Sequence, residues 1–310
     1  MSTLRCLPGR ALVRVLVTFV LAGALLAAGC SASGEPSAAP ASTRPPTPTP
    51  TPAAPAHYLA LGDSLAVGVQ RTEAGLQGTD NGYPDILHAR LKEDAPALAL
   101  TKLGCAGETA ATMVDGGRCT YAAKSQLEAA EAFLREHRGS VRLVTLDIGA
   151  NDLVGCARTG AIDESCVRTG LRRARTLLPK IADRLRAAAG PDVRIVGMTY
   201  YDPFLAAWLL GPSGERVARR SVNSVNDLND LLVRAFRGAD IGVADVAEAF
   251  DTTEFDRTVS SRAADGRVPL NVARVCAWTT MCGGSGRTPD IHPNDRGYRE
   301  IAETFLPEVR

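Results

Sequence analysis

Four short clusters carry residue types that can do chemistry. They are Gly62-Asp63-Ser64-Leu65, Gly104-Cys105-Ala106-Gly107-Glu108-Thr109, Gly149-Ala150-Asn151-Asp152 and Asp290-Ile291-His292-Pro293-Asn294. A serine hydroxyl is a weak nucleophile until a neighbouring base takes its proton. An imidazole suits that task, because an unperturbed pKa of about 6.5 lets it accept and return a proton near neutrality. Taken singly, each cluster has a plainer reading. Gly-Asp-Ser makes an ordinary turn with a helix cap. Gly-x-x-Gly is a common loop, Gly-Ala-Asn-Asp suits a left-handed turn, and a histidine before proline is a common loop residue. His57, His88 and His137 fit such plain roles, at a linker junction, in a helix and at a charged helix end. The argument for chemistry is that all four clusters occur together, in order, each beside the right kind of element.

Those elements can be read from hydrophobic patterning. Tyr58-Leu59-Ala60-Leu61 is a short apolar strand that ends at Gly62. Pro84–Glu93 is a helix, Leu98–Leu103 a strand and Ser125–Glu136 a helix. Val141–Ile148 is a strand too apolar to have a wet face. Val167, Leu171, Leu178, Ile181 and Leu185 recur at helical spacing, and Gly190-Pro191 stops that helix. Val193–Thr199 is a strand, Val222–Phe236 a helix, Ile241–Asp245 a strand and Asp295–Phe305 a last helix. Nearly continuous apolar strands alternating with helices imply a parallel sheet covered on both faces. In such sheets ligands bind at the C-terminal strand ends. Three of the clusters follow strands and the fourth precedes the last helix, so the four should meet at one sheet edge.

In this order the clusters resemble the signature blocks of the SGNH/GDSL hydrolases, a name that spells Ser, Gly, Asn and His. The resemblance runs from the first strand to the last helix. It implies a flavodoxin-like three-layer α/β/α fold with a five-stranded, mostly parallel sheet, and no metal or organic cofactor. It also implies Ser64 as nucleophile, His292 as general base, and an oxyanion hole from the N–H groups of Ser64 and Gly107 with the amide of Asn151. Gly107 is preferred to Gly104 because the family's glycine stands just before a polar residue and Thr, as Glu108-Thr109 does here. One departure concerns the group that orients the histidine. The common pattern has Asp three residues before it, whereas that position is Pro289 and the nearest acid is Asp290, two before. Side chains two apart share a face in an extended segment, so Asp290 is assigned as the third catalytic residue. A backbone carbonyl of Thr288 or Pro289 is the alternative.

The rest of the chain suggests where such an enzyme would work. Arg5, Arg10 and Arg14 followed by apolar Val15–Ala28 form an export signal, too short for the about 20 residues of a bilayer span. Leu26-Ala27-Ala28-Gly29-Cys30 resembles a lipoprotein lipobox, which implies cleavage before Cys30 and lipid attachment to it. Residues 31–56 are rich in Pro, Ala, Ser and Thr. This composition cannot bury a core and extends at about 3.1 Å per residue where prolines recur. The organisation is therefore a signal over 1–30, a linker over 31–56 and one hydrolase domain over 57–310. Beyond Cys6 and Cys30, Cys105, Cys119, Cys156, Cys166, Cys276 and Cys282 remain. An even set in an exported domain reads as disulfides, most simply paired by neighbours. The signal, linker and six cysteines look similar to exported actinobacterial members of the family.

Lys and Arg number 35 against 34 Asp and Glu, a net charge of +1 that offers no basic excess for nucleic acid. The expected partners are a small-molecule or lipid ester and, through the lipid anchor, a membrane. No obligate protein partner is implied. Phe204–Leu210 follows the fourth strand and, with Trp278, is a candidate lining for an acyl pocket. Three readings of function stay open: a carboxylesterase or lipase, a carbohydrate O-acetylesterase or acetyltransferase, and a non-catalytic surface-binding module. The presence of all four cluster residues weighs against the last.

Overall fold

The computed structural model describes residues 56–158, 161–264, 266–283 and 288–310. The expected export signal, Cys30 and all of the expected linker before Ala56 lie outside the described residues. Five strands form the central sheet: β1 (Ala56–Gly62), β2 (Leu98–Lys102), β3 (Val141–Asp147), β4 (Arg194–Met198) and β5 (Gly242–Ala244). They lie in the order β2-β1-β3-β4-β5, and every pairing is parallel. The chain winds outward from β1 to β2, then returns to place β3 on the other side of β1. The crevice at that reversal is where such sheets bind ligands. Tyr58, Leu59, Ala60, Leu61, Val144 and Leu146 are fully buried, as strands covered on both faces must be.

The long helices make the outer layers. On one side α1 (Tyr83–Leu91) packs against α6 (Asp295–Val309); on the other α2 (Gln126–Glu136), α3 (Glu164–Ala189) and α4 (Pro212–Gly238) pack in series. α5 (Leu270–Trp278) lies just before the histidine cluster. Helix α3 is capped by Asp163, whose carboxylate accepts the N–H groups of Ser165 and Cys166. Its apolar stripe of Val167, Leu178, Ile181 and Leu185 is buried, and it ends at Gly190. Helix α4 begins ten residues before the expected Val222. Its first turns bury Gly214, Ala218 and Ser221 rather than large side chains. A Cβ on Gly214 would sit 1.9 Å from the carbonyl oxygen of Ala207, so small residues are what let the 203–210 segment lie against the helix. Such a face leaves no hydrophobic period to read.

Disulfides join Cys105 to Cys119, Cys156 to Cys166 and Cys276 to Cys282, the neighbour pairing expected. Among the described residues no helix is long and apolar enough to cross a membrane.

Candidate active site

Gly62 ends β1 with φ +136°, and a short helical turn, Ser64–Val67, follows. Asp63 caps this turn by accepting the N–H of Leu65 at 2.9 Å. Gly68 closes it in the left-handed conformation. The result is a tight strand-to-helix bend with Ser64 buried at its tip. Both edges of the Gly62 peptide are clamped by Gln126, which accepts from its N–H at 2.6 Å and donates to its carbonyl at 2.9 Å.

The loop after β3 brings Asn151 to the same edge. Its Nδ2 donates to the carbonyl of Glu108 at 3.0 Å, and neighbouring Asp152 accepts the N–H of Ala110 at 2.8 Å. The third and second clusters are thus joined by two bonds. Gly107 has φ +79°, a conformation that favours glycine. Its loop is held by the Cys105–Cys119 bridge and by Arg118 Nε donating to the carbonyl of Ala106 at 2.9 Å.

The histidine loop is pinned from several sides. Asp290 N–H donates to the carbonyl of Thr280, Thr280 N–H donates to the carbonyl of His292, and Tyr201 Oη donates to the carbonyl of Ile291 at 2.7 Å. Asn294 caps α6 through the N–H groups of Arg296 and Gly297. Within this loop Asp290 Oδ1 accepts both the backbone N–H of His292 at 3.1 Å and its ring Nδ1 at 2.7 Å. Asp290 Oδ2 faces Arg71 Nη2 at 3.9 Å. Burial alone would raise the Asp290 carboxyl, but the hydrogen bond and charge of His292 outweigh it and hold it below the usual range.

Ser64, Asn151 and His292 line one cleft, with Tyr200, Tyr201 and Pro203 among its walls. Gly107 is not among the residues lining the cleft; the bond from Asn151 to Glu108 joins its loop to that wall. A second hollow shares Ala150, Val154, Tyr200, Tyr201 and Pro203 with the first. It continues between Leu153, Ile162, Val167, Phe204, Val225 and Leu228, an almost wholly apolar lining. Of the expected acyl-pocket residues, Phe204 lies here. Trp208 instead packs at a tilt against Phe255 beneath the Arg219 guanidinium. Trp278 does not line the cleft either: it packs edge-on against Phe250 and borders a separate open groove with Arg274 and Arg296. That is the correction to its expected place; the α5 helix turns its ring into the core beside Phe250.

Sequence reasoning passed over the polar residues beneath Ser64. Asp147 Oδ2 accepts the N–H of Asp63 at 2.9 Å, and Asp147 Oδ1 accepts Tyr83 Oη at 2.6 Å. Tyr200 Oη donates to Asp63 Oδ2 at 2.8 Å. The available signal was Asp147 itself, an acid closing a strand that is buried along all but Arg142.

Residues 60–300 match the sequence model of the GDSL-like lipase/acylhydrolase family. The chain belongs to that family, and so to the hydrolases of ester substrates. No curated protein matches it in sequence. Among solved structures it is similar to an extracellular lipase from Streptomyces rimosus, at 17% identity and TM-score 0.54, over 82% of this chain and 99% of that one. It is also similar to an aryl esterase from M. smegmatis, at 15% identity and TM-score 0.42, over 82% and 98%. A third is the psychrotrophic esterase EstA from Pseudoalteromonas sp., at 15% identity and TM-score 0.42, over 82% and 96%. At these identities the likeness to the lipase speaks for the α/β fold.

Proposed function

We propose that this chain is an exported serine esterase that cleaves carboxylic esters through an acyl-enzyme on Ser64. One observation carries the reading: Ser64 and His292, from opposite ends of the domain, face one cleft, with His292 Nδ1 held by Asp290 at 2.7 Å. With Nδ1–H donated to Asp290, Nε2 is free to take the Ser64 proton as Oγ attacks the ester carbonyl carbon. The electron pair driven onto the carbonyl oxygen is met by the N–H groups of Ser64 and Gly107 and by Asn151. An amide nitrogen carries two hydrogens. With one given to Glu108, Asn151 keeps one for the oxyanion. Losing one such donor typically costs about 2.7–4 kcal/mol of barrier. The imidazolium returns its proton to the departing alkoxide oxygen. A water that gives a proton to His292 then attacks the acyl carbon, and the acid leaves as Ser64 regains its hydrogen.

The apolar hollow beside the cleft supports an acyl chain longer than acetate as the favoured substrate. Burying one methylene contributes about 0.8 kcal/mol, or about fourfold in kcat/KM. Nitrophenyl octanoate is therefore expected to be turned over with a higher kcat/KM than nitrophenyl acetate, and Ser64→Ala to abolish both with the fold intact. A preference for acetate favours an O-acetylesterase instead, and activity surviving in Ser64→Ala refutes the mechanism. The bridged cysteines support work in an oxidising compartment. With the signal and Cys30, they support a lipid-tethered enzyme outside the cell.

A further inference from the structure

Two carboxyl groups lie buried side by side under the Ser64 turn. Asp147 is fully buried at the end of β3, and Asp63 is 2% exposed just past the end of β1. Their four side-chain oxygens meet only neutral donors. Asp63 takes the Leu65 N–H and the Tyr200 hydroxyl, while Asp147 takes the Asp63 N–H and the Tyr83 hydroxyl. The Asp63 N–H on Asp147 Oδ2 sets the two side chains next to each other. Gly62 is what admits this arrangement. A Cβ there would come within 2.6 Å of both Cγ and Oδ2 of Asp147.

Two negative charges buried side by side, with neutral partners, are far more costly than one. We propose that Asp147 is carried as a neutral carboxylic acid that shares a single negative charge with Asp63, and that it is thereby a positioning residue for the Ser64 turn. This rests on Ser64 being the nucleophile. The ionised partner is Asp63, whose two oxygens cap the turn and accept from Tyr200. Burial first, and then the charge of Asp63, push Asp147 well above the usual carboxylate range; burial raises Asp63 as well. The titratable groups that face the pair come from every neighbouring element: Tyr58 from β1, Tyr83 from α1, Tyr200 and Tyr201 after β4, Tyr298 from α6, and His292. Burial holds each of these phenols above its ordinary range. The charge of a protonated His292 acts on Asp63. A pair carrying one charge favours the imidazolium that forms during attack. A pair carrying two must move apart, and the cap of the nucleophile turn moves with it.

The experiment is the pH profile of kcat/KM for wild type and Asp147→Asn, whose amide matches the neutral acid in shape and charge. The expected result is activity within about threefold of wild type at pH 7, with the reversible alkaline fall of the wild type absent from the variant. A hundredfold loss at pH 7 with native circular dichroism overturns the proposal, as does an alkaline fall that persists unchanged. Infrared difference spectra supply a readout independent of Ser64. A protonated-carboxyl component at pH 7 that is present in wild type and lost in Asp147→Asn, beyond the band that Asp202 gives in both, supports the proposal; equal bands in the two proteins refute it. Should Asp147→Asn fail to fold, Tyr83→Phe serves in its place. Removing a donor to the ionised form raises a carboxyl pKa, so the alkaline fall must move to higher pH; no movement, or movement downward, overturns the assignment. Failure of the nucleophile reading would show separately, as fluorophosphonate labelling at a residue other than Ser64.

Discussion

Replacing Asp290 by Asn removes one negative charge and leaves the outline of the site unchanged. The outcome depends on which way the amide sits. Asp290 Oδ1 accepts two hydrogens from His292, one from its backbone and one from its ring. An amide NH2 placed there would meet the backbone N–H head on, so the carbonyl oxygen of the new Asn keeps the Oδ1 position. The ring therefore keeps its tautomer, with Nε2 unprotonated. The NH2 then faces Arg71, which loses its carboxylate partner. What disappears is the attraction between carboxylate and imidazolium, about 4 kcal/mol for charges 4 Å apart at an effective dielectric of 20. That corresponds to about a thousandfold in kcat. The assay is kcat on a saturating nitrophenyl ester, with the fold checked by circular dichroism and melting. A loss below about tenfold, under 1.4 kcal/mol, would remove Asp290 from the catalytic set and leave a Ser–His dyad. A loss well beyond about 10⁴ would mean that the tautomer had inverted, and the orientation argument would fail. Because the Asp290 carboxyl is held below its ordinary range, its stabilising effect is present above that range and lost as pH falls through the folded-state value. The Asn variant should lack that acid-side loss.

Two further outcomes are expected. Asp202 is fully buried, caps Phe204 N–H through Oδ1 at 2.9 Å, and has no partner for Oδ2. Burial pushes its carboxyl from 3.8 up to about 7. The native state then holds a proton that the unfolded chain releases, so stability falls as pH rises between those values. Asp202→Asn keeps the cap and should be more stable than wild type at pH 8, by on the order of 4 kcal/mol; equal pH slopes in thermal melts of the two proteins would refute this. Cys30→Ala should release the enzyme from membranes into the medium with its activity retained, and a wild type already fully soluble would rule out the lipid anchor.

Much of the scaffold was legible because apolar strands covered on both faces leave a continuous signal. Tyr58–Leu61 and Val141–Leu146 could be read directly, and the clusters at their ends followed. The start of α4 was not legible, since Gly214, Ala218 and Ser221 make close contact through smallness rather than hydrophobicity. Nor were the hairpins Val69–Thr72/Gly75–Gly78 and Thr258–Ser260/Arg267–Pro269, whose strands are three or four residues long. The support beneath Ser64 was hidden for another reason. Asp63, Tyr83, Asp147 and Tyr200 come from four elements, and nothing in the spacing of a buried acid or phenol says which partner it will meet. Asp290 lay between: its distance from His292 allowed contact only if the loop was extended, and the bridge between Thr279 and Pro293 helps set that loop.

The three disulfides, finally, bear on how the chain reaches its native state. Each joins cysteines separated by only 14, 10 or 6 positions, and among the described residues no bridge spans the domain. Loops of about ten residues close in roughly 10–100 ns, so both thiols of a pair meet long before distant segments of sheet do. A chain emerging N-terminus first can complete each crosslink before the next cysteine pair appears. The correct partner is always the nearest one available, and oxidation becomes a sequence of local closures with no sorting step between them.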